Sequence, residues 1–147
     1  MTTARDLMTP RPRCIGVNDS LRIAASVMAD LDVGALPICG EDGKLKGMLT
    51  DRDIVVEVVA AGVDPDALKV GDIMGPDVAT VREGEGLYEA LHYMRGKGVR
   101  RMPVVDRDGA LVGILTLDDL LSLLAEEMTE LAKLVSHERQ REAAVRT

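Results

Sequence analysis

The stretch Gly47-Met48-Leu49-Thr50-Asp51-Arg52-Asp53 returns 66 positions later as Gly113-Ile114-Leu115-Thr116-Leu117-Asp118-Asp119. An apolar run entering Thr-x-x-Asp reads as a buried strand that ends where a helix begins, since threonine and aspartate at that spacing suit a helix N-terminus. Outward from this junction the register holds. Leu21, Ala24, Met28, Val33, Pro37, Asp42, Gly43, Leu45, Gly47 and Leu49 each meet the same residue 66 positions on, from Leu87 to Leu115. Upstream, Asp6, Met8 and Pro10 return as Asp72, Met74 and Pro76. A duplication of this kind makes one architectural unit twice, so whatever the unit binds can be offered two related sites.

Each unit opens on Asp-hydrophobic-Met and a proline, followed by a short extended run, Cys14–Val17 in the first copy and Val78–Val81 in the second. An amphipathic helix comes next. Asn18, Asp19 and Ser20 offer N-caps, and Leu21, Ala24, Ala25 and Met28 share one helical face, as do Leu87, Ala90, Leu91 and Met94. Glycine-bearing segments, Val33-Gly34 and Gly96-Lys97-Gly98, supply the stops. Leu36–Cys39 then turns through Gly40-Glu41-Asp42-Gly43 into Leu45–Leu49, and Met102–Val105 turns through Asp106-Arg107-Asp108-Gly109 into Leu111–Leu115. Asp-Gly between apolar runs marks a hairpin. A second helix starts at Thr50 or Thr116, with Ile54, Val55, Val58 and Val59 expected on its buried face in the first copy. The unit is β-α-β-β-α, and two of them predict an α/β fold with helices packed on small sheets in a pseudo-two-fold arrangement. The expected division is 1–60 for the first unit, 61–70 for a connector holding Gly62 and Asp64-Pro65-Asp66, 71–125 for the second unit, and 126–147 for a helical extension.

Both Gly-hydrophobic-hydrophobic-Thr-x-x-Asp stretches resemble the signature of cystathionine β-synthase (CBS) domains, and Val99–Asp106 resembles that family's middle strand. Two such domains in tandem form a Bateman module, and the likeness runs from about Asp6 to Leu124. Gly34–Gly40 with Gly47–Val55 further resembles small stand-alone two-CBS proteins of the hypoxic-response type, which associates the chain with stress response. The resemblance implies a non-enzymatic regulatory module. It implies binding of an adenosine-containing ligand (AMP, ADP, ATP or S-adenosylmethionine) in clefts between paired units, with occupancy signalled to a protein partner.

The Thr-x-x-Asp pairs, Thr50 with Asp53 and Thr116 with Asp119, support two readings. At a strand-to-helix junction the free backbone N–H groups and the helix dipole favour an anion, so the threonine hydroxyl could meet a phosphate while the aspartate accepts both hydroxyls of a ribose. Adenine would then lie on Pro37, Ile38, Pro103 and Val104. The alternative is a capping box with no ligand, worth about 1 kcal/mol. The copies also differ. Arg100-Arg101 stand where the first copy has Gly34-Ala35, and guanidinium groups can bind phosphate bidentately. This predicts unequal sites, the stronger using Arg100 or Arg101, against the alternative of solvated strand-edge charges.

The remaining features bound the function classes. The chain has 147 residues and net charge −7, with 46% hydrophobic and 29% charged residues. That balance lacks the basic face of a nucleic-acid binder, while a few arginines can still hold a small anion. No apolar run reaches a membrane span, and Met1-Thr2-Thr3-Ala4-Arg5-Asp6 does not open a signal peptide, so the expected location is cytoplasmic. With no Trp or Phe and only Tyr88 and Tyr93, a flat ligand would be held by aliphatic residues. Cys14 and Cys39 align with Val78 and Val105, which suggests two small buried hydrophobes. Their strands are neighbours, so a redox-responsive bridge is the competing functional reading, a structural homodimer with vestigial clefts switched through these cysteines. A zinc site or small metalloenzyme would need Cys14, Cys39, His92 and His137 together, and no Cys-x-x-Cys spacing exists. Asp106–Gly109 is a turn rather than a calcium loop, and no catalytic triad or phosphate-cradling glycine loop is present. Finally, Leu117, Leu121, Leu124, Met128, Leu131 and Val135 form a heptad seam running past the second unit, which predicts a homodimer contact through the C-terminal helix.

Overall fold

The computed structural model describes residues 2–75 and 78–146; Pro76, which belongs to the second unit's opening motif, lies with Met1, Asp77 and Thr147 outside the described residues. The expected β-α-β-β-α order occurs twice. The first unit runs β2 (Ile15–Gly16), α2 (Leu21–Leu31), β3 (Ala35–Cys39), β4 (Leu45–Thr50) and α3 (Asp51–Ile54). The second runs β5 (Val81–Arg82), α5 (Leu87–Lys97), β6 (Arg101–Val105), β7 (Leu111–Thr116) and α6 (Leu117–Arg146). The strands β2 and β5 are shorter than predicted, and β5 starts only at Val81.

Strand pairing repeats residue for residue. Leu36 faces Leu49 and Pro37 faces Met48 across β3 and β4; Met102 faces Leu115 and Pro103 faces Ile114 across β6 and β7. Both hairpins are antiparallel and close on a left-handed glycine, Gly43 at φ 75° and Gly109 at φ 84°, a conformation that clashes with a Cβ in other residues. The hairpins meet where the Leu45 N–H donates to the Gly109 carbonyl at 3.2 Å.

Each half has its own apolar core. Leu21, Leu36, Ile38 and Leu49 centre the first; Met94, Met102, Val104 and Leu115 centre the second. The α2 stop is not Gly34 but Asp32, held left-handed at φ 54°, while Gly98 at φ 66° plays that part after α5. The helix after Thr50 also departs from expectation. Beyond α3 the backbone widens into a π-helical turn over Val55–Val59, where the Ala60 N–H donates to the Val55 carbonyl at 2.8 Å. The wider turn rotates the side chains, so Val58 alone of the valines is buried and Val55 and Val59 are 55% and 70% exposed. Leu91, expected on the inner face of α5, is likewise exposed.

The largest departure is an exchange of lead-in segments. The helix α1 (Ala4–Leu7) and strand β1 (Thr9–Pro10) precede the first unit but pack on the second. Ala4 is buried in the second core, and β1 pairs antiparallel with β7, Thr9 opposite Ile114 and Pro10 opposite Gly113. Reciprocally, α4 (Val70–Ile73) follows the connector yet places fully buried Val70 in the first core. Its backbone bonds back to that half, with Val70 N–H donating to the Asp19 carbonyl and Gly71 N–H to the Val17 carbonyl, both at 2.8 Å. The result is a four-stranded sheet ordered β1-β7-β6-β5 and a three-stranded one ordered β2-β3-β4. Among the described residues no helix is long and apolar enough to cross a membrane.

Candidate functional site

At both strand-to-helix junctions the threonine and aspartate form reciprocal capping boxes. The Thr50 N–H donates to Asp53 Oδ2 at 2.9 Å while the Asp53 N–H donates to Thr50 Oγ1 at 3.1 Å. Thr116 and Asp119 repeat this with both bonds at 3.1 Å. The capping reading therefore holds at both junctions, and it does not exhaust the groups. Each threonine hydroxyl is engaged as an acceptor, which leaves its O–H proton for another partner, and only Oδ2 of each aspartate is engaged in these bonds.

A cleft of about 250 Å³ opens beside the second junction, between the halves. Thr116, Arg101 and Ile114 line it from the second half and Leu31, Val33, Leu36 and Pro37 from the first, while the exchanged N-terminal arm adds Thr9, Pro12 and Arg13. Arg11, at φ 51°, bends the chain after β1 and so directs Pro12 and Arg13 across the cleft. Strand register explains the placement of Arg101: it is the direct cross-strand partner of Thr116. In the first half Ala35 is the partner of Thr50, so that junction has no guanidinium at the matching position.

The resulting chemistry is specific in kind. Two guanidinium groups and two hydroxyls share a cleft with an apolar wall, and no carboxylate lines it. Such a lining suits a ligand with one anionic end and one flat apolar end. Leu31 and Val33, 44% and 39% exposed, are the lip of this wall.

The sequence-predicted site residues divide accordingly. Arg101, Thr116 and Pro37 come together in the cleft; Arg13 and Thr9 join them although the sequence reading did not select them. The repeat held a signal for Arg13: in the frame that aligns Cys14 with Val78, it stands against Asp77, a basic residue without a basic counterpart. Arg100 goes elsewhere. It borders a separate groove of about 420 Å³ with Tyr88, Leu91, His92 and Leu117. The side chains of Ile38, Pro103 and Val104, expected under the adenine, are wholly buried in the protein interior and do not line the cleft; the Pro37 side chain is equally buried at its wall. Thr50 and Asp53 form the equivalent junction in the first half.

The cysteines are free thiols, Cys39 buried and Cys14 exposed, so the expectation of two buried hydrophobes fails for Cys14, which precedes β2 at the surface. Burial, with a hydrogen bond to the Cys14 thiol, pushes Cys39 from its ordinary 9.0 up to about 12. His92 and His137 lie on α5 and α6, and among the described residues no three His, Cys, Asp or Glu side chains cluster to hold a metal ion.

The CBS-domain family model matches residues 4–60 and 70–126. The chain is 44% identical over 126 residues to hypoxic response protein 1 of Mycobacterium tuberculosis, covering 86% of this chain and 87% of that protein. A crystal structure of Hypoxic Response Protein I with two coordinated zinc ions shares the fold with a TM-score of 0.76 at 43% identity, covering 82% of this chain and 98% of that one. CBSX2 from Arabidopsis thaliana, in complex with AMP, gives 0.74 at 28% identity, over 86% and 98%. The CBS domain pair of MJ0100, in complex with 5′-methylthioadenosine and S-adenosyl-L-methionine, gives the same score, identity and coverage.

Proposed function

This chain belongs to the CBS-domain family, and on that premise we propose that it is a non-enzymatic sensor that binds an adenosine phosphate in the cleft beside Thr116. The observation carrying this reading is the convergence of Arg13 and Arg101, contributed by segments far apart in sequence, on one apolar-walled cleft without a carboxylate. The phosphate is held by the two guanidiniums and the Thr116 hydroxyl, and the base lies along Leu31 and Val33, the exposed lip of the apolar wall. Asp119 does not line the cleft; its cap bond to Thr116 holds that hydroxyl at the cleft edge. The AMP found with CBSX2 supports the ligand class. Because the cleft is walled by both halves, occupancy favours one packing of the halves over another, and that difference is what a cytoplasmic protein partner reads.

A thermal melting series tests this. AMP, ADP, ATP and S-adenosylmethionine are added separately, and a ligand at one hundred times its Kd is expected to stabilise the fold by about 2.7 kcal/mol. Flat melting curves across the series would remove the sensor reading. Calorimetric titration with AMP is expected to resolve one tight site and one weaker site, because Ala35 stands at the Thr50 junction where Arg101 stands at the other.

The thiol contact favours a second reading, a redox switch. Exposed Cys14 is the sulfur an oxidised disulfide such as oxidised glutathione meets first; it releases one glutathione thiol and forms a mixed disulfide. Cys39 then displaces the second glutathione thiol and closes the bridge, with two electrons passing to the oxidant. Mass spectrometry after treatment with oxidised glutathione is expected to show a loss of about two hydrogens, reversed by dithiothreitol. Persistence of both free thiols would end that reading and leave the sensor intact.

A further inference from the structure

Only residues 11–14 link β1, which lies on β7 of the second half, to β2, which lies on β3 of the first. This strap is tied at both ends. The Arg11 N–H donates to the Val112 carbonyl at 3.2 Å, and Ile15 pairs with Ile38. Between the ties two side chains of different chemistry stand next to each other. Arg13 lines the cleft, and the exposed Cys14 thiol is hydrogen-bonded with that of Cys39. Cys39 is the last residue of β3, the strand whose Ala35, Leu36 and Pro37 wall the same cleft. The two sulfurs therefore meet between the strap and the strand behind the cleft, one residue away from a phosphate-binding guanidinium.

We propose that the Cys14–Cys39 pair regulates the nucleotide cleft: closing the bridge ties the strap to β3, holds Arg13 at the cleft and raises the affinity for an adenosine phosphate. The proposal rests on the cleft binding AMP as described above. The bridge forms by exchange with a small disulfide such as oxidised glutathione. Cys14 attacks one of its sulfurs, and the first glutathione leaves; Cys39 then attacks the Cys14 sulfur, and the second glutathione leaves. The two thiol protons end on the two released glutathiones, and the two electrons reduce their disulfide. The sense of the effect follows from the thiol contact. Arg13 already stands at the cleft while the thiols touch, so the bridge closes on the arrangement that presents Arg13. An exposed arginine on an untied strap loses freedom when it grips phosphate, and the bridge removes part of that freedom beforehand. The coupling is reciprocal, so AMP protects the bridge from reduction by the same factor.

The full chain is titrated calorimetrically with AMP after dithiothreitol and after oxidised glutathione, with the bridge checked by mass spectrometry. The bridged form is expected to bind AMP at least about 5-fold more tightly, the lower edge of ordinary coupling between sites. Saturating AMP is then expected to lower the reduction potential of the bridge by about 20 mV, that factor converted at about 30 mV per tenfold. Cys14→Ser, at an exposed position, is expected to bind AMP as the reduced chain does and to ignore the oxidant. In Arg13→Ala the two redox forms are expected to bind AMP alike, and a difference that survives there overturns the role of the strap. Equal or weaker AMP binding by the bridged form overturns the coupling and leaves the cleft standing, as does failure of the bridge to form. Absence of AMP binding in both forms removes the cleft itself as a nucleotide site, and the proposal with it.

Discussion

Arg101→Ala lowers the affinity for AMP by a factor of about 10 to 100, the expected loss when one charge-assisted hydrogen-bonding partner of a phosphate is removed. The unliganded melting temperature stays close to that of the parent, because Arg101 is exposed, is the first residue of β6, and forms no ion pair among the described residues. Titration calorimetry measures the first quantity and a melting curve the second. Arg101→Lys restores only part of the loss, since an ammonium cannot present the planar fork that a phosphate accepts bidentately. Arg13→Ala follows the same course, because its guanidinium enters the same cleft from the exchanged arm. Undiminished AMP binding by the Arg13→Ala, Arg101→Ala double variant would refute the site while leaving the fold untouched.

Gly113→Val destabilises the protein by about 3 kcal/mol, at the upper end for overpacking a filled interior. Gly113 sits where β1 crosses β7, and a Cβ built there would stand 2.9 Å from the Thr9 carbonyl oxygen and nearer still to the Met8 side chain. Met8 can rotate; the Thr9 backbone cannot withdraw without breaking the β1–β7 pairing. Its equivalent, Gly47, is roomier, with the nearest atom, Ile38 Cδ1, at 3.5 Å. Gly47→Ala is therefore expected to be the milder change and Gly113→Val the severe one in urea unfolding. Equal midpoints for Gly113→Val and the parent would contradict the close crossing.

The fold was legible to the extent that it depends on local pattern. The repeat, the hairpin glycines and the helical faces around Ala24 and Ala90 are written in nearest-neighbour periodicity, and each half folds accordingly. What the pattern could not disclose was which half each opening segment joins. Ala4 read as opening the first unit and Val70 as the end of the connector, yet Ala4 is buried in the second core and Val70 in the first. That is why Arg13 escaped notice: it reaches the cleft only because β1 lies on β7. The π-helical turn at Val55–Val59 was hidden for a related reason, since a valine stripe at helical spacing carries no mark of one extra residue per turn. Arg100 and Arg101 were indistinguishable as neighbours until the fold placed Arg100, just before β6, at one groove and Arg101, the first residue of β6, at another.

The exchange of lead-in segments also sets a timetable. Thr9 is made well before its partner Ile114, 105 residues further along the chain. Until then β1 waits unpaired while the first half assembles, and that half is itself completed by Val70 at the end of the connector. Contacts of such long sequence separation form slowly. The fold therefore closes by returning an early segment onto a late one, and the last piece to dock is the arm that carries Arg13.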